Sequence, residues 1–106
     1  MAYLVDAETT GQIIVTPTTL EAIQVAESQY MDIVATNSLD IPSNPWFPSI
    51  RNGEVVMTFT FKKAGLHEAN ASNPLSVINY LALMRSIASQ YNFERNSTNL
   101  TNFREE

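Results

Sequence analysis

The dipeptide Asn52-Gly53 constrains this chain more than any other pair of residues in it. Asn-Gly favours the two-residue type I′ turn, because both residues tolerate positive φ and the turn matches the twist of two antiparallel strands. The flanking segments, Trp46–Arg51 and Glu54–Phe61, read as its arms. The second arm alternates: Val55, Met57, Phe59 and Phe61 point one way, and Glu54, Val56, Thr58, Thr60 and Lys62 the other. Such a strand has one buried face and one wet face. The first arm contains Pro48, which lacks an N–H to give to a ladder, so this arm is expected at the edge of its sheet.

The remaining elements follow from turn chemistry and periodicity. Residues 2–5 and 12–15 read as short strands, with the turn-like Glu8-Thr9-Thr10-Gly11 between them, which predicts an N-terminal hairpin. Thr18 and Glu21 have capping-box spacing after Pro17. They predict a helix over about 19–35, with Leu20, Ile23, Ala26, Tyr30, Ile33 and Val34 on one side. Residues 36–45 are rich in turn formers. A second helix is predicted from Asn73-Pro74 to about Tyr91, with Val77, Tyr80, Leu81, Met84, Ile87, Ala88 and Tyr91 as its stripe. Leu75, Ile78 and Leu83 fall off that stripe, so this helix is apolar around much of its circumference.

The expected order is β-β-α-β-β-α. The expected fold class is α+β, an antiparallel sheet with both helices on one face as a two-layer sandwich. Residues 1–91 read as a single domain. Residues 92–106 read as a polar tail that frays or drapes, with Phe93, Leu100 and Phe103 as its anchors.

Composition narrows the functional classes. A chain of 106 residues with a 44% hydrophobic share is enough for one modest core. No apolar run is longer than that of Tyr80 to Met84, far from the roughly 20 residues that cross a bilayer, so no membrane role is expected. The start, Met1-Ala2-Tyr3-Leu4-Val5-Asp6, lacks signal-peptide shape. Cytoplasm is the expected compartment. Glycosylation sequons at Asn70, Asn96 and Asn99 read as chance in an Asn- and Thr-rich chain. All six acids of the first 50 residues (Asp6, Glu8, Glu21, Glu27, Asp32 and Asp40) precede the first basic residue, Arg51. Such a field repels phosphate backbones and suits a basic protein partner, so nucleic acid is not expected as a ligand.

Motifs for chemistry are sparse. The absence of cysteine removes disulfides, thiolate metal sites and thiol nucleophiles. His67 is the only histidine, and no carboxylate run resembles a calcium loop. Gly11, Gly53 and Gly65 are far apart, each read as a turn residue and none as part of a phosphate cradle. No metal or cofactor is therefore expected. A pocket near His67 and Glu27, with Tyr30, is the remaining arrangement for ligand binding or catalysis. The aromatic pair in Pro45-Trp46-Phe47-Pro48 is more unusual, since flanking prolines stiffen the segment and tryptophan is enriched at interface hot spots.

The leading expectation is a small non-catalytic interaction module, an accessory or adaptor subunit that presents a peptide or regulates an enzyme. Trp46, Phe47, Ile50, Leu75 and Leu83 are its candidate partner-binding residues, and the edge strand permits strand addition. The alternative is a structural component of a virion or other homo-oligomeric assembly.

Overall fold

The arm that follows Asn52-Gly53 is longer than its alternation suggested. In the computed structural model, which describes residues 3–68 and 71–105, it runs as a strand over Glu54–His67. The elements in chain order are β1 (Tyr3–Val15), α1 (Leu20–Thr36), β2 (Trp46–Arg51), β3 (Glu54–His67), α2 (Val77–Gln90) and β4 (Glu94–Glu105). The strands form one sheet in the order β2-β3-β1-β4, with every neighbouring pair antiparallel. The fold is α+β and its connectivity is a split βαβ. At the hairpin tip Asn52 and Gly53 have φ of 52° and 78°, as the type I′ turn requires.

The order β-α-β-β-α-β corrects the expected β-β-α-β-β-α in two places. Residues 3–15 form one strand, not a hairpin. Thr9 and Thr10 are β-branched and extend readily in a pleated strand, so their turn-like company misleads. Gly11 is no turn residue either. It pairs with Phe59 on one side and Arg95 on the other, and the Phe93 ring fills the space where its side chain would start. The second change is at the C-terminus, where residues 94–105 pair with β1 along its length and do not drape.

Both helices close in the same way. Thr19 caps α1, accepting from the Ala22 N–H at 3.1 Å, so the cap falls one residue after Thr18 and Glu21 is not at capping-box spacing from it. Ser76 caps α2, accepting from the Asn79 N–H at 3.1 Å. The helix therefore starts later than Asn73-Pro74, whose turn is held by the Asn73 side chain on the Leu75 N–H. At the far ends Ser38 and Asn92 take φ of 53° and 54°. The next residues, Leu39 and Phe93, donate back to the carbonyls of Val34 and Ala88. This is a Schellman closure, and in each case it drives a buried apolar residue into the core.

The core centres on Tyr30, 1% exposed. Its ring stacks on Phe59 at 5.4 Å, tilts against Phe61 at 4.9 Å and meets Trp46 edge-on at 5.4 Å. The Tyr30 hydroxyl donates to the Thr60 carbonyl at 2.6 Å. From α2, the Tyr80 hydroxyl lies 2.7 Å from Thr9 Oγ1, which also meets Thr98 Oγ1 at 3.0 Å. Thr9 and Phe61 are directly opposed in the ladder. Directly opposed residues share a sheet face, so the side-chain contacts of Tyr30 and Tyr80 with Phe61 and Thr9 fall on the same one. No described buried side-chain polar atom is left without a partner. The far face of β3 is not uniformly wet: Val56 and Thr58 are buried among Ile14, Gln12, Phe47 and Ser49 on the flanking strands.

Candidate interaction edge at β2

The phase of the ladder decides which backbone groups of β2 are free. The Thr60 N–H donates to the Pro45 carbonyl at 2.9 Å, and the two-residue turn closes on Arg51 and Glu54. In an antiparallel pair, hydrogen-bonded and non-hydrogen-bonded positions alternate. Pro45, Phe47, Ser49 and Arg51 therefore turn their main-chain groups toward β3. Trp46, Pro48 and Ile50 turn theirs outward. Pro48 thus lacks its N–H on the open side, where its absence costs the sheet nothing. What remains for an incoming strand is the N–H groups of Trp46 and Ile50 and the carbonyls of Trp46, Pro48 and Ile50.

Side chains on this edge divide between the two faces. Trp46 lies opposite Phe59 on the helix side and packs partly buried against Tyr30. Phe47 lies opposite Thr58 on the far face and is 45% exposed. Ile50 shares the helix side with Trp46 yet is 80% exposed, since it sits close to the hairpin tip. The five sequence-selected residues are therefore not one patch. Leu75 precedes α2, where its carbonyl accepts from His67 at the far end of β3. Leu83 packs half-buried against the core.

Between α1 and Trp46 lies a shallow, wide-open groove lined by Gln24, Glu27, Ser28, Met31, Asp32 and Trp46. It lies on the side of β2 where the helix-facing side chains of an added strand would project. Glu27 and Asp32 make it acidic, and Met31 and Trp46 give it an apolar wall. In the sequence Glu27 lies at the edge of the apolar stripe of α1 and Asp32 on its polar side. Their proximity to Trp46 depends on how α1 crosses the sheet and has no local sequence signal.

The arrangement of His67, Glu27 and Tyr30 does not form a shared pocket. His67 is at the end of β3, bridged to Ser76, while Glu27 lines the groove beside Trp46. Tyr30 lines a crevice between the helices with Ile33, Phe59, Phe61, Ile87 and Phe93. That crevice encloses about 20 Å³, and a single water needs about 10–15 Å³. It is a seam in the core with no room for a substrate. Burial pushes the phenols of Tyr30 and Tyr80 up from 10.0 to about 12.

Among the described residues no group of three or more His, Asp or Glu side chains is placed to hold a metal ion. No described helix is long and apolar enough to cross a membrane. Of the three sequons, Asn96 and Asn99 are exposed on β4, and Asn70 lies outside the described residues. No family model matches the chain, and no curated sequence or solved structure resembles it significantly.

Proposed function

We propose that this chain is a non-catalytic interaction module, an accessory or adaptor subunit that takes an extended segment of a partner protein as a fifth strand on β2. The observation that carries the reading is the coincidence of an open edge at Trp46 and Ile50 with the acidic groove beside Trp46. Main-chain bonds give such a complex its direction, and alternate side chains give it selectivity. Helix-side residues of the partner enter the groove, where Glu27 and Asp32 favour lysine or arginine and the Trp46 face favours their aliphatic stems or a guanidinium. The partner segment is therefore basic at alternate positions.

A two-layer sandwich, with both helices covering one face, fits this role. It leaves β2 bordered by α1 on one side and by the bare sheet face with Phe47 on the other. At about 1 kcal/mol net per hydrogen bond, a ladder as short as Trp46–Ile50 falls short of the roughly 8 kcal/mol of a micromolar Kd. Side chains in the groove must supply the rest, which makes recognition depend on the partner's sequence.

The test is selection of linear peptides from a displayed library against the wild-type chain, with Ile50→Pro as the counter-selection. Proline at 50 removes an outward N–H and leaves the β2–β3 bonds in place. The reading expects enriched peptides with alternating basic residues, bound at least tenfold more weakly by Ile50→Pro and by Trp46→Ala. Peptides that bind Ile50→Pro as well as wild type would defeat it.

A further inference from the structure

The opposite edge of the sheet is formed by β4. β4 pairs with β1 on one side only, and from Glu94 to Glu105 its residues are exposed except for the half-buried Thr98 and Leu100. No proline interrupts it. A long edge of this kind is a template for another strand unless something blocks it. The ladder phase carries across the sheet. Gly11, Thr9 and their odd-numbered neighbours in β1 bond to β3, so Asp6, Glu8, Thr10 and Gln12 bond to β4. Within the regular stretch of β4, Ser97, Asn99 and Thr101 therefore turn their main-chain groups toward β1, and Thr98 and Leu100 turn theirs outward.

This strand is nearly symmetric about Asn99. The register with β1 slips at Asn96, between the pairs Thr10–Ser97 and Gly11–Arg95. It slips again at Asn102, which has φ of 54° and with Phe103 stands across from Val5. Asn96 and Asn102 are equidistant from Asn99. So are Glu94 and Arg104, and so are Arg95 and Phe103.

We infer that β4 pairs antiparallel with β4 of a second copy of this chain, with the two-fold axis at Asn99. In that register Thr98 of each copy exchanges main-chain bonds with Leu100 of the other. The irregularity at Asn96 meets the one at Asn102, so neither throws the ladder out of step. Glu94 of one copy lies across from Arg104 of the other, whose guanidinium is held by Asp6 at 3.0 Å and remains 46% exposed. Arg95 lies across from Phe103, a cation–π pairing.

Other registers lose these matches. The flush register sets Glu94 against Glu105 and Arg95 against Arg104, and puts the outward groups out of phase. An axis at Leu100 sets the Asn102 irregularity against Thr98. The product is one continuous sheet, β2-β3-β1-β4-β4-β1-β3-β2, with the two β2 edges at its outer ends. The inference concerns a different edge from the peptide reading and stands without it.

Disulfide trapping tests it, because the chain has no cysteine of its own. Residue 99 meets its own copy at a non-hydrogen-bonded position, where Cα atoms lie about 4.5 Å apart and within disulfide range. Asn99 and Ser97 are both exposed on the far face, so neither substitution touches the core. Light scattering on the full chain should give twice the 11.8 kDa chain mass. In a glutathione buffer Asn99→Cys should become mostly covalent dimer, at least tenfold faster than Ser97→Cys, which faces Thr101 of the other copy. A monomer at all concentrations would overturn the inference. So would a dimer in which Ser97→Cys cross-links as fast as Asn99→Cys.

Discussion

The ring of Phe93 lies so close over Gly11 that a β-carbon built there would be 1.9 Å from its Cζ. The contact joins the residue that closes α2 to the middle of β1, and Phe93 continues edge-on to Phe61 at 5.7 Å. Glycine in a strand interior is ordinarily a weakness, and Ala at such a site is ordinarily an improvement. Here the sign reverses. Gly11→Ala should cost about 1–3 kcal/mol by overpacking, read as a lower urea midpoint at unchanged slope. Adding Phe93→Leu should recover part of that loss, since the smaller side chain frees space over β1.

A second prediction concerns the hydroxyl chain of Tyr80, Thr9 and Thr98. Tyr80→Phe leaves the buried Thr9 hydroxyl with Thr98 alone. The expected loss is about 1 kcal/mol, because Thr9 keeps one partner. Thr9→Val should cost more than Tyr80→Phe, since it leaves the buried Tyr80 hydroxyl with only the longer 3.4 Å contact to the Phe61 carbonyl. Equal urea midpoints for the two variants would contradict this ranking.

Alkaline pH should destabilise the chain through the same tyrosines. Their pKa values are raised from 10.0 to about 12 by burial. A raised folded-state pKa means that their contribution is intact below pH 10 and is lost as pH rises toward 12, because only the unfolded chain releases the protons in that window. Stability measured between pH 9 and 12 should fall, and Tyr30→Phe should reduce the slope.

Acid acts through Asp6. Its carboxylate accepts from the Asn102 side chain, the Gly65 N–H and Arg104, and these hydrogen bonds hold its pKa below the ordinary 3.8. A depressed folded-state pKa gives stability that is present above pH 4 and is lost as pH falls through the folded value. Asp6→Asn should flatten the acid side of the stability profile. Gly65 lies in β3 with φ of 73°, where the β1–β3 register shifts between Val5 and Ala7; because Asp6 ties it to the β4 irregularity at Asn102, the same variant should also speed amide exchange at both.

Much of the fold was legible in local chemistry. Asn52-Gly53 located its hairpin, Pro48 placed β2 at an edge, and the periodicities of both helices selected Tyr30, Ile33, Tyr80, Met84 and Ile87 for the core. The failures arise where local composition and long-range pairing disagree. Glu8-Thr9-Thr10-Gly11 has the residues of a turn, and only Phe93, distant in sequence, explains why glycine is needed in a straight strand. Residues 94–105 have no apolar alternation, because an edge strand with exposed side chains has little to bury. Their strand character comes from β1, whose even-numbered positions supply the partner groups. Of the candidate contacts, Trp46, Phe47 and Ile50 stand out in the sequence, and all three lie on the edge strand β2. The groove residues Met31 and Asp32 were not singled out, since their helix positions look like ordinary surface until β2 is set beside them.

The central claim is that β2 accepts a partner strand through Trp46 and Ile50. Residue-resolved amide exchange of the chain, alone and with a peptide taken from the library selection, tests it most directly. Free, the Trp46 and Ile50 amides should exchange quickly, while Phe47 and Ser49, bonded to β3, exchange slowly. With peptide bound, Trp46 and Ile50 should slow by at least tenfold and the Phe47 and Ser49 amides should change little. Protection that appears elsewhere, with Trp46 and Ile50 still exchanging as in the free chain, would contradict the account.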